Sequence, residues 1–214
     1  MDLQLQPVRT YARRLPAAGA AVAFLASAYL FTGTVAAGDI WKLDKNTTVV
    51  HFNYDHLGLS RQSGRFKDIE GRLEFSPTAP EEGSVDITIK ASAVSTGVPD
   101  LDRLLRSSDF LDTNRHPQIK FRSTGVRPTG ERTGDIDGEL SFMGVTWPVT
   151  LKARWNFTGE YPLASINPAY QGKWVSGFSA TTTIERSRWG LKRGIPLISD
   201  TVELRIEAEF IRAD

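Results

Sequence analysis

A two-residue rhythm runs through most of this chain and constrains its fold more than any other feature. Near the C-terminus, Val202, Leu204, Ile206, Ala208 and Phe210 alternate with Glu203, Arg205, Glu207 and Glu209, the period of a strand with one face buried and the other in water. The same alternation sets Val50, Phe52 and Tyr54 against His51, Asn53 and Asp55, and Val85, Ile87, Ile89 and Ala91 against Asp86, Thr88 and Lys90. A longer run places Trp147, Val149, Leu151, Ala153, Trp155 and Phe157 on one face. Shorter extended pieces cover 40–44, 69–75, 119–121, 136–142 and 174–184, separated by turn clusters such as 77–83 and 129–134. The pieces at 40–44 and 50–54 read as a pair of opening strands, and 69–75 forms a hairpin with 85–91.

One segment breaks the rhythm. Leu101, Leu104 and Leu105 recur at helical spacing among Asp102, Arg103 and Arg106, which predicts one short helix within 99–110. His116-Pro117 then returns the chain to extended geometry, because a residue before proline is pushed away from helix. Pro148 predicts an edge or a bulge at the start of its strand. The stretch Arg186-Ser187-Arg188-Trp189-Gly190-Leu191 is too polar and kinked for simple strand.

About eight antiparallel strands, one helix and no helical face large enough to cover a sheet predict an all-β fold, an extended antiparallel barrel of lipocalin-like type. The large inward positions are Phe52, Tyr54, Phe75, Phe121, Phe142, Trp155 and Phe178. A barrel of this strand number either fills its interior with such side chains or holds one small ligand, and both need the same alternation.

Before the barrel, residues 15–37 carry no charge, follow Arg13-Arg14 and end in Val35-Ala36-Ala37. This is the layout of a secretory signal peptide, with a dense apolar part of roughly 15 residues. The expected organisation is a signal peptide over 1–37, cleaved after Ala37 or Ala36, and a lipid-binding barrel domain over 38–214. An uncleaved N-terminal membrane anchor is the alternative. The arginine pair also permits a twin-arginine route, but no consensus surrounds it.

Function classes narrow by composition. Lys plus Arg number 26 against 25 Asp plus Glu, so no field exists to gather a nucleic acid. The chain has no cysteine, which removes disulfides, thiolate metal sites, a lipid-anchored cysteine and a cysteine nucleophile together. No G-x-S-x-G elbow occurs, and His51, His56 and His116 lack H-x-x-x-H or H-E-x-x-H spacing. Asp135 and Asp137 alternate within a strand and read as solvent-facing charge. No catalytic residue and no metal site are expected, and His56 reads as a residue that shapes the corner beside Gly58 and Ser60.

Several stretches resemble the YceI-like family, a lipocalin-like group associated with polyisoprenoid binding. They are His56-Leu57-Gly58-Leu59-Ser60 with Gly64-Arg65-Phe66, Leu105-Arg106-Ser107-Ser108-Asp109-Phe110-Leu111-Asp112 leading to His116-Pro117, Gly138-Glu139-Leu140-Ser141-Phe142 with Gly144-Val145-Thr146-Trp147-Pro148-Val149, Trp189-Gly190-Leu191, and Ser199-Asp200-Thr201-Val202. Each alone is weak, but in this order they span nearly all of 41–211. The chain departs from the family in Trp189, where Phe is common, and in a longer insert at 161–172.

The resemblance implies a periplasmic protein that binds, sequesters or transports a long isoprenoid of quinone or polyprenyl phosphate type, without chemistry. No cofactor is required, and the bound molecule is the lipid itself. Phe52, Tyr54, Phe75, Phe121, Phe142, Trp155 and Phe178 would line the tunnel, with Phe110, Trp189 and Arg188 framing its mouth. Transient membrane contact and a homodimer stay open. An enzyme acting on a small amphiphile with His56 as base, and a stress-linked interaction module with a filled barrel, are the alternatives.

Overall fold

The computed structural model describes residues 38–213; the expected signal segment and its cleavage site lie outside them. Eleven strands form one closed antiparallel sheet. They are β1 (Asp39–Leu43), β2 (Val49–His56), β3 (Ser60–Phe66), β4 (Ile69–Phe75), β5 (Ser84–Lys90), β6 (Val94–Ser95), β7 (Gln118–Gly130), β8 (Thr133–Phe142), β9 (Val145–Glu160), β10 (Trp174–Glu185) and β11 (Thr201–Arg212). One helix, α1 (Pro99–Arg106), follows β6.

The ring runs β1–β4–β5–β7–β8–β9–β10–β11 and closes by pairing β11 with β1, so the expected eight-stranded barrel is what forms. The extra strands arise because three neighbouring staves are each broken once. β1 and β2 are one such stave, and this corrects the reading of them as a pair. They do not pair with each other but share the same flank of β11, β1 against 210–212 and β2 against 203–207. The Asp44 N–H, donating to the Glu209 carbonyl at 2.8 Å, carries the ladder across the break. A polar turn of so few residues swings the chain without reversing it.

β3 and β4 are likewise one stave, bent at Asp68, whose φ is 59°. β5 and β6 are a third, interrupted by the 3₁₀ turn Ala91–Ala93. The breaks separate two cores. At the turn end, Trp41, Leu43, Ile69, Leu73, Phe75 and Phe210 pack together. At the helix end, Phe52, Ala91, Val94, Leu111, Ile119, Phe142 and Trp189 do.

β9 carries a bulge that alternation did not foresee. Phe178 pairs with Trp155 but Gly177 pairs with Phe157, leaving Asn156 extra. A single inserted residue flips the face of everything beyond it. Phe157 therefore turns outward and is exposed, while Trp155 stays inside. Pro148 lies on the part of β9 that β10 has already left, since their register ends at Lys152, which is the edge position it requires.

The 161–173 connection leaves the turn end and folds back on the outer wall. Its Tyr170 hydroxyl donates to Asp44, and its Tyr161 and Tyr170 rings stack at 4.3 Å. Both Asp44 and Tyr170 are buried. The bond to the Asp44 carboxylate, helped by burial, pushes the Tyr170 phenol up to about 12.

Candidate functional site

The barrel is hollow. A cavity of about 590 Å³ runs through both cores, lined from His56, Leu104 and Phe110 at the helix end to Glu131, Arg132 and Pro80 at the turn end. Along β7 alone the lining extends from Ile119 to Gly130. At about 3.3 Å per residue and a tilt near 40°, that is a bore on the order of 27 Å long.

Large inward aromatics do not fill this bore because several rings lie flat on glycine. A Cβ built on Gly64 would stand 2.2 Å from Phe52 Cζ, and one on Gly138 would stand 2.4 Å from Phe121 Cζ. Each ring thus occupies the space a neighbouring side chain would have taken and leaves the axis open. In the turn half the row Gly134, Ala153, Ala180, paired strand to strand, lines the bore with small residues. There Phe75 meets Trp155 and Phe178 edge-on at 5.3 and 5.2 Å, pairs worth about 1 kcal/mol each beyond their area.

Of the residues expected on the tunnel wall, Phe52, Tyr54, Phe75, Phe121, Phe142, Trp155 and Phe178 all line the cavity, and Phe110 joins them at the helix end. Arg188 and Trp189 do not. Where β10 parts from β9, the turn Arg186–Trp189 fills the slit. Trp189, 2% exposed, donates its indole N–H to the Leu140 carbonyl at 3.0 Å and packs on Phe142. Arg188 lies outside, paired with Glu185 at 2.7 Å and 5.9 Å from the Trp147 ring centroid. These two residues seal a side wall rather than frame the mouth.

Other liners were not singled out from the sequence. Leu43, Ile87, Ile136, Leu151, Leu204 and Ile206 complete the wall, and all sit at inward positions of the same alternation, so the signal existed. Leu101, Leu104 and Leu105 were legible as one helix face, but not as a face laid over the bore. Arg186 had no signal. It is 5% exposed, lines the cavity, and donates to the carbonyls of Ser199, Leu191 and Ile198 at 2.8–2.9 Å. Burial lowers its pKa, and Asp200 nearby opposes that. Its role is to clamp the loop between β10 and β11 onto the barrel.

Ionisable and amide groups on the lining gather at its ends, while the Thr48 and Thr182 hydroxyls lie along its length. Tyr54, whose phenol burial pushes up, His56 and Gln62 stand at the helix end, and Glu131 and Arg132 at the other. The Arg132 guanidinium sits 5.1 Å from the Trp155 ring centroid and donates to the Asn156 carbonyl. Asp135 and Asp137 bind Arg127 at 3.5 and 2.9 Å on the outer face. That arginine and the Thr150 hydroxyl hold Asp137 down to about 2. Among the described residues, no group of three His, Asp or Glu side chains is placed to hold a metal ion.

Known proteins share this architecture. The profile of the YceI-like domain matches residues 41–210. A UPF0312 protein of Pseudomonas putida is 35% identical over 190 residues, which covers 88% of this chain and 94% of that protein. One from Ectopseudomonas mendocina is 34% identical over 195 residues, 90% and 97% of the two chains. Among solved structures, the YCEI protein of Campylobacter jejuni superposes with a TM-score of 0.65 at 26% identity, over 75% of this chain and 90% of that one. Burkholderia cenocepacia BcnA superposes at 0.68 with 19% identity, covering 78% and 98%. A polyisoprenoid binding domain from Saccharophagus degradans does so at 0.60 with 13% identity, covering 81% and 98%.

Proposed function

The chain belongs to the YceI-like domain family, and from that premise we propose that it binds one long isoprenoid lipid along the axis of the barrel and carries it through an aqueous compartment. The observation that carries this reading is the bore itself, about 590 Å³ in volume and lined mainly by aromatic and aliphatic side chains, with its ionisable side chains near its ends. An extended chain laid there leaves water at about 25 cal/mol per Å² of buried apolar surface, partly offset by its ordering. The methyl branches of an isoprenoid suit a wall of flat aromatic rings and aliphatic tips. The lipid is of quinone or polyprenyl phosphate type, its head left at a mouth among hydrogen-bonding side chains. The name of the Saccharophagus degradans neighbour, a polyisoprenoid binding domain, supports the ligand class.

The role is binding without chemistry and without a cofactor. Support comes from the lining, where among the described residues His56 is the one imidazole and the only carboxylate, that of Glu131, stands at the opposite end. The uncharged 15–37 segment after Arg13-Arg14 supports export to a periplasm through a cleaved leader. Organic extraction of the protein purified from its native host, followed by mass spectrometry, tests the reading. A prenyl lipid near one per chain is the expected result. A barrel recovered empty that also refuses added prenyl quinones and prenyl phosphates overturns it.

A further inference from the structure

The two mouths of the bore differ in what surrounds them. At the helix end, three segments that are distant in sequence raise aliphatic side chains into water. Leu57 and Leu59 stand on the β2–β3 turn, Val98 and Leu104 at the start and on the face of α1, and Leu197 in the β10–β11 loop. Leu59 is 80% exposed and Leu197 64%. The Leu57 N–H donates to the Leu197 carbonyl at 2.7 Å, tying hairpin tip to loop. Leu57 itself has φ 62°, a left-handed geometry that an aliphatic residue adopts at a cost of about 1 kcal/mol or more. Scattered exposed leucines need no explanation, but a ring of them around an apolar opening does.

Charge sets the kind of surface that this ring fits. Beside Leu197, residues 186–193 carry Arg186, Arg188, Lys192 and Arg193 and no acidic residue. Arg186 is buried and the other three face water, Arg188 paired with Glu185 at 2.7 Å and Arg193 with Asp109 at 3.2 Å, while the Lys192 side chain has no partner among the described residues. Aliphatic tips flanked by outward cations match a lipid surface with anionic headgroups, where apolar insertion and headgroup attraction add. The turn end differs: its exposed Ile40, Phe157, Leu163, Ile166 and Trp174 lie outside the bore lining, and Trp174 is covered by the Arg212 guanidinium 4.8 Å from its ring centroid.

We propose that the helix end is a membrane-docking surface: Leu57, Leu59, Val98, Leu104 and Leu197 enter one leaflet of an anionic phospholipid bilayer and bring the mouth of the bore onto its acyl phase. The inference rests on the lipid-binding reading for its purpose, since a prenyl chain then passes between bilayer and barrel without crossing water. The docking itself is measurable without that ligand.

Because the chain has no cysteine, single labels can be placed in the full-length protein. Leu59→Cys, Leu197→Cys and, as the opposite-end control, Ile166→Cys each receive an environment-sensitive nitrobenzoxadiazole group. Vesicles of phosphatidylethanolamine and phosphatidylglycerol with brominated acyl chains are then added. The expected result is a blue shift and quenching at 59 and 197 and neither at 166, a pattern that an N-terminal apolar segment alone cannot create. Labels at 59 and 197 that stay in water, or equal quenching at all three sites, overturn the proposal. So does shielding of the 59 and 197 labels by raised protein concentration without vesicles, which assigns the ring to a second copy of the chain.

A second measurement separates this inference from the function it serves. Leu59→Asp combined with Leu197→Asp slows uptake of a fluorescent prenyl chain from those vesicles about tenfold, with its affinity for the barrel in vesicle-free solution unchanged. Uptake that is not slowed counts against docking. Refusal of the prenyl chain by the unmutated barrel sinks the lipid-binding reading instead and leaves the quenching result standing.

Discussion

The two ends of this barrel are closed by different physics. At the turn end, short connections and outward-facing side chains do the work. β7 and β8 join through a tight turn, Arg132 packs over Trp155, and the 161–173 loop is pinned to the outer wall by Tyr170 and Asp44. At the helix end the covers are long segments held from inside by a few polar clamps. Asp102 accepts from the Thr96 N–H and hydroxyl at 2.6 and 2.7 Å, and Arg106 donates to the carbonyls of Ser92 and Val94. No residue of α1 is buried. A cover that buries little and hangs on a handful of hydrogen bonds opens at lower cost than a packed wall, and under the proposed function the helix end is the entry route.

The strongest way to break that comparison is to cut a clamp. Arg186→Met leaves the carbonyls of Ser199, Leu191 and Ile198 without their donor and is expected to cost about 3–5 kcal/mol in urea unfolding. Faster hydrogen exchange should be confined to 186–200. A loss below about 1 kcal/mol would mean that packing holds the loop and that the two ends are alike.

Next in size is a change to the bore within the helix half. Gly64→Val drives the Phe52 ring off the wall into the lumen, with an expected stability loss of about 1–3 kcal/mol. Prenyl binding should fall at least tenfold, as read by titration with a fluorescent prenyl probe. Unchanged affinity would show that the ligand occupies only the turn half.

Tyr170→Phe probes the outer latch of the turn end. Loss of its bond to Asp44 should cost about 1–2 kcal/mol at neutral pH. The Tyr170 pKa is raised in the folded chain to about 12. Its contribution is therefore complete below the free tyrosine range near 10 and is lost as pH climbs toward 12. Thermal melts from pH 9 to 12 should decline more steeply for the parent chain than for the variant, and parallel curves would refute the latch.

The smallest effect is expected from Arg132→Ala, which removes an exposed cation–π contact worth about 0.5–1 kcal/mol. Ligand affinity should hardly move. A large drop would place the lipid head at the turn end and reverse the assignment of the two mouths.

Much of this was legible beforehand because a strand's inward face repeats every second residue. Phe52, Phe121 and Phe178 could be placed on the wall from alternation alone, and the leucines of α1 from helical spacing. Phe157 could not, because nothing in β9 announces the extra residue at Asn156 that turns it out. Arg188 and Trp189 were misplaced for a related reason. Their turn fills a slit that exists only because β10 diverges from β9, a fact about two strands and not about either one.

The sequence by itself determined the closed antiparallel barrel, its one helix and most of the inward side chains, since these follow from local period and turn chemistry, and the family through the motifs spread over 41–211. Whether the inside is full or empty was decided only by tertiary structure. Hollow and filled barrels share one alternation, and what distinguishes them here is which residue stands across from which. Gly64 stands across from Phe52 and Gly138 lies diagonal to Phe121 on the neighbouring strand, and through these matches large aromatic rings become the lining of a channel instead of its contents.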